Sequence, residues 1–338
     1  MRLVSFFTTT PGAGRVDHLG ALLADATTVV DLAPATAARL ASSGLPVSAA
    51  RRVAAAVVPP ALETFVENGP VARDAADETV AWLQSDGCES GPAGEPLRYA
   101  LDSVSLRPAV PKPALIRDFM GFEQHLRNIY PRLGREIPRE WFSMPVYYKG
   151  NPNSVGAHGE DVVIPDYGDG ELDFEFEVAI VIGRGGRNIA EEDALAHVYG
   201  MTIYDDFSAR GIQNREMSVG LGPAKGKDFD GAHVLGPWLV TMDEVGDPYQ
   251  LGMRATVNGT EWTTGSTGDL HWTFEQMIAH ASRGETLCPV EVFGSGTVGG
   301  GSAAEIGGTL RSGDIVELTV DRLGSLRNTV TMPEGSPG

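Results

Sequence analysis

Hydrophobic positions change period several times along the chain, and the sharpest change falls within residues 171–213. Leu172, Phe174, Phe176, Val178, Ile180 and Ile182 alternate with Asp173, Glu175, Glu177, Ala179 and Val181. Period-two alternation in a run rich in β-branched and aromatic residues predicts a strand. Its even positions face a core. Its odd positions put Glu175 and Glu177 on one face, roughly 7 Å apart along the strand. A helical segment is predicted over 189–197 and a short apolar strand over 201–204. The chain then runs Asp205-Asp206-Phe207-Ser208-Ala209-Arg210-Gly211-Ile212-Gln213. Asp206, Arg210 and Gln213, spaced four and then three apart, share a face if this segment is helical. Gly211 weakens such a helix by about 1 kcal/mol.

The rest of the pattern divides at a proline cluster. Residues 1–107 are Ala-rich with few aromatics. They predict a strand over 3–7 and a helix over 35–42, with Pro34 suited to its first turn. A further apolar-periodic region covers 61–82 and is interrupted at Gly69-Pro70. Residues 86–94 read as a loop. Pro108, Pro111 and Pro113 mark a boundary, giving an accessory N-terminal domain (1–107) and a second domain (108–338). From 237 to 321 the pattern is mostly strands and turns. Asn258-Gly259 signals a hairpin, residues 273–282 a helix, and residues 315–320 a strand after the Ser312-Gly313-Asp314 turn.

Composition narrows the function classes. At 338 residues, with 42% apolar residues and 42 glycines, the chain is long enough for two domains and reads as a soluble, strand- and loop-rich protein. A net charge of −19 argues against nucleic acid or an anionic membrane as a partner. Cys88 and Cys288 form neither a disulfide framework nor a metal-ligand spacing, which fits a reducing, cytoplasmic location. No apolar run approaches 18 residues, so no membrane-spanning helix is expected.

Two carboxylates as close as Glu175 and Glu177 repel unless a cation, a hydrogen-bond network or raised pKa values intervene. The plain reading is a solvated sheet face. The functional reading is all-oxygen ligation of a hard divalent ion, Mg²⁺, Ca²⁺ or Mn²⁺. Two Gly-rich stretches carry less. Residues 182–188 mimic a dinucleotide loop but have Asn188 in place of its last glycine, with no parallel βαβ unit around it. Residues 294–302 lack the Gly-Lys-Ser/Thr ending of a phosphate loop.

Asp173-Phe174-Glu175-Phe176-Glu177-Val178-Ala179, then Asp206-Phe207-Ser208-Ala209-Arg210-Gly211-Ile212-Gln213, Gly226-Lys227-Asp228-Phe229 and Gly294-Ser295-Gly296-Thr297 together resemble the fumarylacetoacetate hydrolase family, over roughly residues 108–333. The resemblance implies a mainly β fold with some α: a mixed β-sandwich or β-roll preceded by a small N-terminal domain. It implies a metal site made by Asp118, Glu175, Glu177 and Asp206, with magnesium as the expected ion and calcium or manganese as alternatives. It implies His125, seven residues after Asp118, as a base oriented by Glu305. Arg210, Gln213 and Lys227 are the expected donors to an oxyanion. Tyr148, in Pro145-Val146-Tyr147-Tyr148-Lys149-Gly150, and Thr297 are expected to meet substrate.

Hydrolytic cleavage of a carbon–carbon bond needs a deprotonated water, donors for the oxyanion, and a Lewis acid for the leaving carbanion. The implied activity is therefore metal-dependent hydrolysis of a 1,3-diketo acid of the fumarylacetoacetate or acylpyruvate kind. The alternative is a 2-oxo acid decarboxylase, lyase or isomerase using the same metal site, and a silent binding protein is a third reading. Two departures bear on substrate. Met120 stands where fumarylacetoacetate-cleaving members carry Tyr two residues after the ligand Asp, and Met217 where they carry Tyr four residues after the helix Gln. Both are expected to touch substrate, so a different diketo acid is expected. The resemblance also implies a homodimer.

Overall fold

The computed structural model describes residues 1–10, 14–167 and 171–332. Its frame is a 12-stranded sheet. The main path runs Arg98–Ala100, Thr28–Asp31, Gly14–Leu22, Arg2–Thr10, His233–Thr241, Val198–Asp206, Phe176–Ile182, Glu291–Gly294, Leu115–Phe119 and Tyr147–Gly150. Along this path only Glu291–Gly294 and Leu115–Phe119 run parallel. A five-stranded sheet is ordered Thr260–Ser266, Gly252–Val257, Ile315–Val320, Gly324–Thr331 and Asp161–Val163. Its inward residues, among them Met253, Leu318 and Val330, share a core with Val178 and Ile180 of the large sheet. Helices Leu32–Ser42, Leu62–Glu67 and Pro70–Asp86 supply Ala35, Phe65 and Ala76 to a second core on the other face. The expected mixed sandwich is thus present, with a helical layer added by the Ala-rich first third. Strand makes up 33% and helix 30% of the chain, so the α share is larger than the sequence pattern conveyed.

Strand Phe176–Ile182 lies in the middle of this arrangement. Phe176, Val178, Ile180 and Ile182 enter the core with the second sheet, and Ala179 and Val181 enter the helical core. Every residue of the strand is buried. The alternation therefore separates two cores rather than a core from solvent, which removes the solvated-face reading of Glu177. The expected strand is also shorter than its alternation. Leu172–Asp173 pairs instead with Ser208–Ala209, and Glu175 makes an isolated bridge to Ser302. The break at 174–175 lets the chain leave one ribbon and enter the large sheet with its carboxylates at the junction.

Other expectations are refined. The segment predicted as helical over 189–197 is a 3₁₀ helix, Glu191–His197. Asp206 does not share a helix with Arg210 and Gln213, because it ends strand Val198–Asp206 and the helix is Arg210–Val219. The Asn258-Gly259 hairpin forms, both residues at positive φ, between Gly252–Val257 and Thr260–Ser266. Helix Phe274–Ser282 starts from a Thr273–Gln276 capping box. No helix among the described residues is long and apolar enough to cross a membrane.

Ile180 is fully buried between the sheets. Ile180→Ala should cost about 2–5 kcal/mol of stability, read as a lower urea midpoint with an unchanged slope.

Candidate active site

The register of six neighbouring strands aligns the site. Tyr148 pairs with Asp118 and Gly294 with Asp118. Ala179, two residues beyond Glu177, pairs with Gly294. Glu177 pairs with Tyr204, and Asp206 with His233 on the next strand. Carboxylates from three strands therefore meet where strand ends coincide. One oxygen each of Asp118, Glu177 and Asp206 lies within 4.8 Å of the others, and all three residues are buried. Gly294 makes the room. A Cβ there would come within 2.6 Å of Asp118 Oδ1, 2.9 Å of Glu177 Oε2 and 2.8 Å of Tyr204 Cε1.

Glu175 stands beside this triad, in a cationic clamp. Its carboxylate accepts from Lys227 Nζ at 2.6 Å and from Arg210 Nη2 at 2.7 Å. Lys227 also donates to Asp206 Oδ2. Asp206 accepts further from Tyr148 Oη at 2.7 Å, and His233 Nδ1 lies 3.0 Å from its other oxygen. Glu177 accepts from Gly296 N at 2.8 Å, and Thr297 Oγ1 is 3.5 Å away. Gly296 is held to glycine twice over: its φ is +82°, and a Cβ would meet Phe119 O at 2.4 Å.

Charge is unevenly neutralised. Burial works to raise Glu175, but Arg210 and Lys227 outweigh it and bring its carboxyl down to about 2. Burial likewise works against ionised Asp206, and Lys227 and His233 outweigh it. Glu177 has no such help, and for Asp118 the pull of Lys227 is outweighed. Burial and then the neighbouring carboxylates push both well above the usual range. Asp118 Oδ1 is buried and has no hydrogen-bond partner. An unpartnered carboxylate oxygen, two carboxyls raised by burial and by neighbouring carboxylates, and a glycine cradle fit a hard divalent cation.

A second assembly lies on helix Glu123–Arg132. His125 Nδ1 is 2.7 Å from Glu305 Oε1. A carboxylate only accepts, so Nδ1 carries the proton and Nε2 is the free acceptor. Glu305 is fixed in turn by Asn128 Nδ2 at 2.7 Å, Gly300 N at 2.8 Å and Ser302 Oγ at 3.3 Å. The seven-residue link from Asp118 to His125 is clamped at Gly121, where a Cβ would strike Ser295 O at 2.4 Å.

The remaining expected residues occupy distinct places. Arg210 donates to Asp173, Glu175 and Gln213. Met120 follows Asp118 and is half-buried, its carbonyl accepting from Trp141 Nε1 at 2.8 Å. Met217 lies one turn beyond Gln213 on the same helix and is 47% exposed. Tyr148 and Thr297 contact the acidic cluster through their hydroxyls. Sequence reasoning missed His233, Tyr204 and Asp173 as members of the site. His233 is fully buried, with Nδ1 also 2.8 Å from Tyr204 Oη. No local pattern signals it, since it faces Asp206 only through sheet pairing.

Comparison with known proteins agrees with this scaffold. The family model for the C-terminal region of fumarylacetoacetate (FAA) hydrolase matches residues 114–331. Oxaloacetate tautomerase YisK of Bacillus subtilis is 31% identical over 258 residues, covering 75% of this chain and 81% of that protein. Oxaloacetate tautomerase fahd2, mitochondrial, of Xenopus laevis is 38% identical over 195 residues, covering 57% and 59%. Maleylpyruvate hydrolase from Sphingobium sp. SYK-6, solved in complex with manganese(II) ion and pyruvate, aligns with a TM-score of 0.68 at 23% identity, covering 99% of this chain and all of that one. The matched span includes every strand that feeds the acidic cluster and the loop that carries Glu305, and on that ground the chain belongs to the fumarylacetoacetate hydrolase family.

Proposed function

We propose that this protein is a metal-dependent hydrolase that cleaves a carbon–carbon bond in a 1,3-diketo acid of the acylpyruvate type. The observation that carries the reading is the carboxylate-backed His125, on Glu305 at 2.7 Å, in a chain that also holds a buried acidic triad. Asp118, Glu177 and Asp206 would hold the ion, with Glu175 as a fourth carboxylate. A divalent ion there, magnesium first and manganese or calcium next, supplies Lewis-acid polarisation of a 2-oxo acid carbonyl. His125 Nε2 takes the proton of the attacking water, and Glu305 stabilises the imidazolium that forms. Lys227 and Arg210 offset the negative charge that builds up as the bond breaks. Met120 and Met217 make the substrate wall apolar and adaptable. The substrate is a small oxo or diketo acid, and the same reading places the enzyme in the cytoplasm as a homodimer.

A second reading is proton transfer alone, interconverting the keto and enol forms of a 2-oxo acid. One observation favours it. Arg210 and Lys227 already donate to Asp173, Glu175, Gln213 and Asp206, which leaves few donors for an attacked ketone. Two of the relatives named above are oxaloacetate tautomerases.

Both readings are separable by one set of assays on wild type and His125→Ala. Acylpyruvate cleavage should fall about 10²- to 10⁴-fold in the variant while manganese still binds. No cleavage of any diketo acid by wild type, alongside rapid enol–keto conversion of oxaloacetate, would give the site to the second reading. Full cleavage by His125→Ala would exclude this residue as the base.

Metal binding should be steeply pH-dependent. Asp118 and Glu177 must lose protons to ligate, and their carboxyls lie well above the usual range without an ion. Affinity should therefore rise with pH, and titration calorimetry in two buffers should show proton release on binding. For stability the sign is opposite. Carboxyls raised in the folded state favour folding below their unfolded-state values and lose that contribution as pH rises through the raised ones. Metal-free protein should lose stability with rising pH across that window, and added manganese should restore it. Gly294→Ala should weaken manganese binding about 10- to 100-fold by driving a methyl into the Asp118 and Glu177 oxygens.

A further inference from the structure

Asp173 is buried at the centre of four N–H groups. Arg210 Nε and Nη2 donate to Oδ2 at 2.9 and 2.6 Å. Ala303 N donates to Oδ1 at 2.7 Å and Ala304 N to Oδ2 at 3.2 Å. Four donors and no acceptor require a side chain that only accepts, which a carboxylate is and an amide is not. Two residues beyond Ala303 lies Glu305, the partner of His125. Arg210 is itself anchored, because its backbone N donates to Glu171 O at 2.8 Å and Leu172 pairs with Ala209. A continuous chain of contacts thus runs from Arg210 through Asp173 and the 303–304 backbone to Glu305 and His125.

We infer that Asp173 is a positioning residue, a strut that ties the loop carrying Glu305 to the Arg210 side of the site and so sets the base against the acidic cluster. It touches neither the acidic triad nor His125, and it acts through Glu305 on one side and through the Arg210 guanidinium on the other. Arg210 is then the anchor of the base assembly as well as the partner of Glu175. The inference rests on the proposed role of His125 as base, but the placement of Glu305 can be read without turnover.

The test uses Asp173→Asn, Glu305→Gln and their double variant in the full chain. Asp173→Asn aims an NH₂ group at N–H donors. It should lower kcat for acylpyruvate cleavage about 10²-fold, as a misplacement of about 1 Å does, with KM nearly unchanged. In the Glu305→Gln background the same substitution should cost clearly less than in wild type, because the part of its effect that passes through Glu305 is already lost. Nitrogen-15 histidine NMR gives the activity-independent reading. The His125 Nδ1 proton, assigned by its loss in His125→Gln, should be protected in wild type and exchange-broadened in both Asp173→Asn and Glu305→Gln. If Asp173→Asn does not fold, Ala303→Pro removes one of the four N–H donors at a first helical position, where proline is tolerated, and should act in the same direction. A retained Nδ1 proton with unchanged kcat, or a cost that adds in full to that of Glu305→Gln, overturns the strut. Absence of turnover in wild type with the NMR behaviour as stated overturns the proposed function and keeps the strut.

Discussion

The structure depends on a surplus of buried negative charge at one end of the large sheet. Glu175, Glu177, Asp118 and Asp206 are all withdrawn from water, and the cations that reach them are Lys227 and Arg210. An isolated ionised carboxylate in such a place is strongly unfavourable. The protein answers in two ways. Glu175 and Asp206 stay ionised under the two cations, while Asp118 and Glu177 are pushed toward protonation. That division leaves a site whose unneutralised part suits a divalent cation. Burial works to lower Lys227, but the carboxylates around it outweigh that cost and hold it above its ordinary value.

Holding this charge in place requires a rigid surround, and the two cores supply it. Strand Phe176–Ile182 is packed on both faces and paired on both edges, so Glu177 has little freedom to move away from its neighbours. Glycines supply what side chains would obstruct. Gly294 admits the carboxylates. Gly226 lets the segment before Lys227 approach helix Arg210–Val219, where a Cβ would lie 2.6 Å from that of Gln213. The first strand of the chain continues the sheet beside His233–Thr241, so the N-terminal residues brace the strand that carries His233.

The acidic cluster and the His125–Glu305 pair stand on different elements. The acidic cluster sits on strand ends, where pairing fixes positions to within a hydrogen bond. His125 sits on a helix whose other end is exposed, and it depends on Glu305 for orientation. Glu305 lies in a four-residue helix, Ala303–Ile306, whose first residue packs into the core. The Asp173 carboxylate, held by four donors, ties that helix to Arg210.

Much of this was legible in the sequence for a definable reason. The alternation over 172–182, the helix over 273–282 and the Asn258-Gly259 turn are local signals, and local backbone preference decided them. The pairing of His125 with Glu305 and the clustering of Asp118, Glu177 and Asp206 were legible only through the family resemblance, since 180 residues separate the first pair. Tertiary structure alone decided the rest. The break at 174–175 opposes an alternation that continues unbroken, because a ribbon with Ser208–Ala209 captures Leu172–Asp173. Asp206 ends a strand rather than opening a helix, because its backbone pairs with His233. Whether Glu175 meets the ion or the cations beside it was not written in the spacing Glu-x-Glu. It depends on Arg210 and Lys227 arriving from residues 35 and 52 positions away, and long-range packing sets such distances where sequence periodicity cannot.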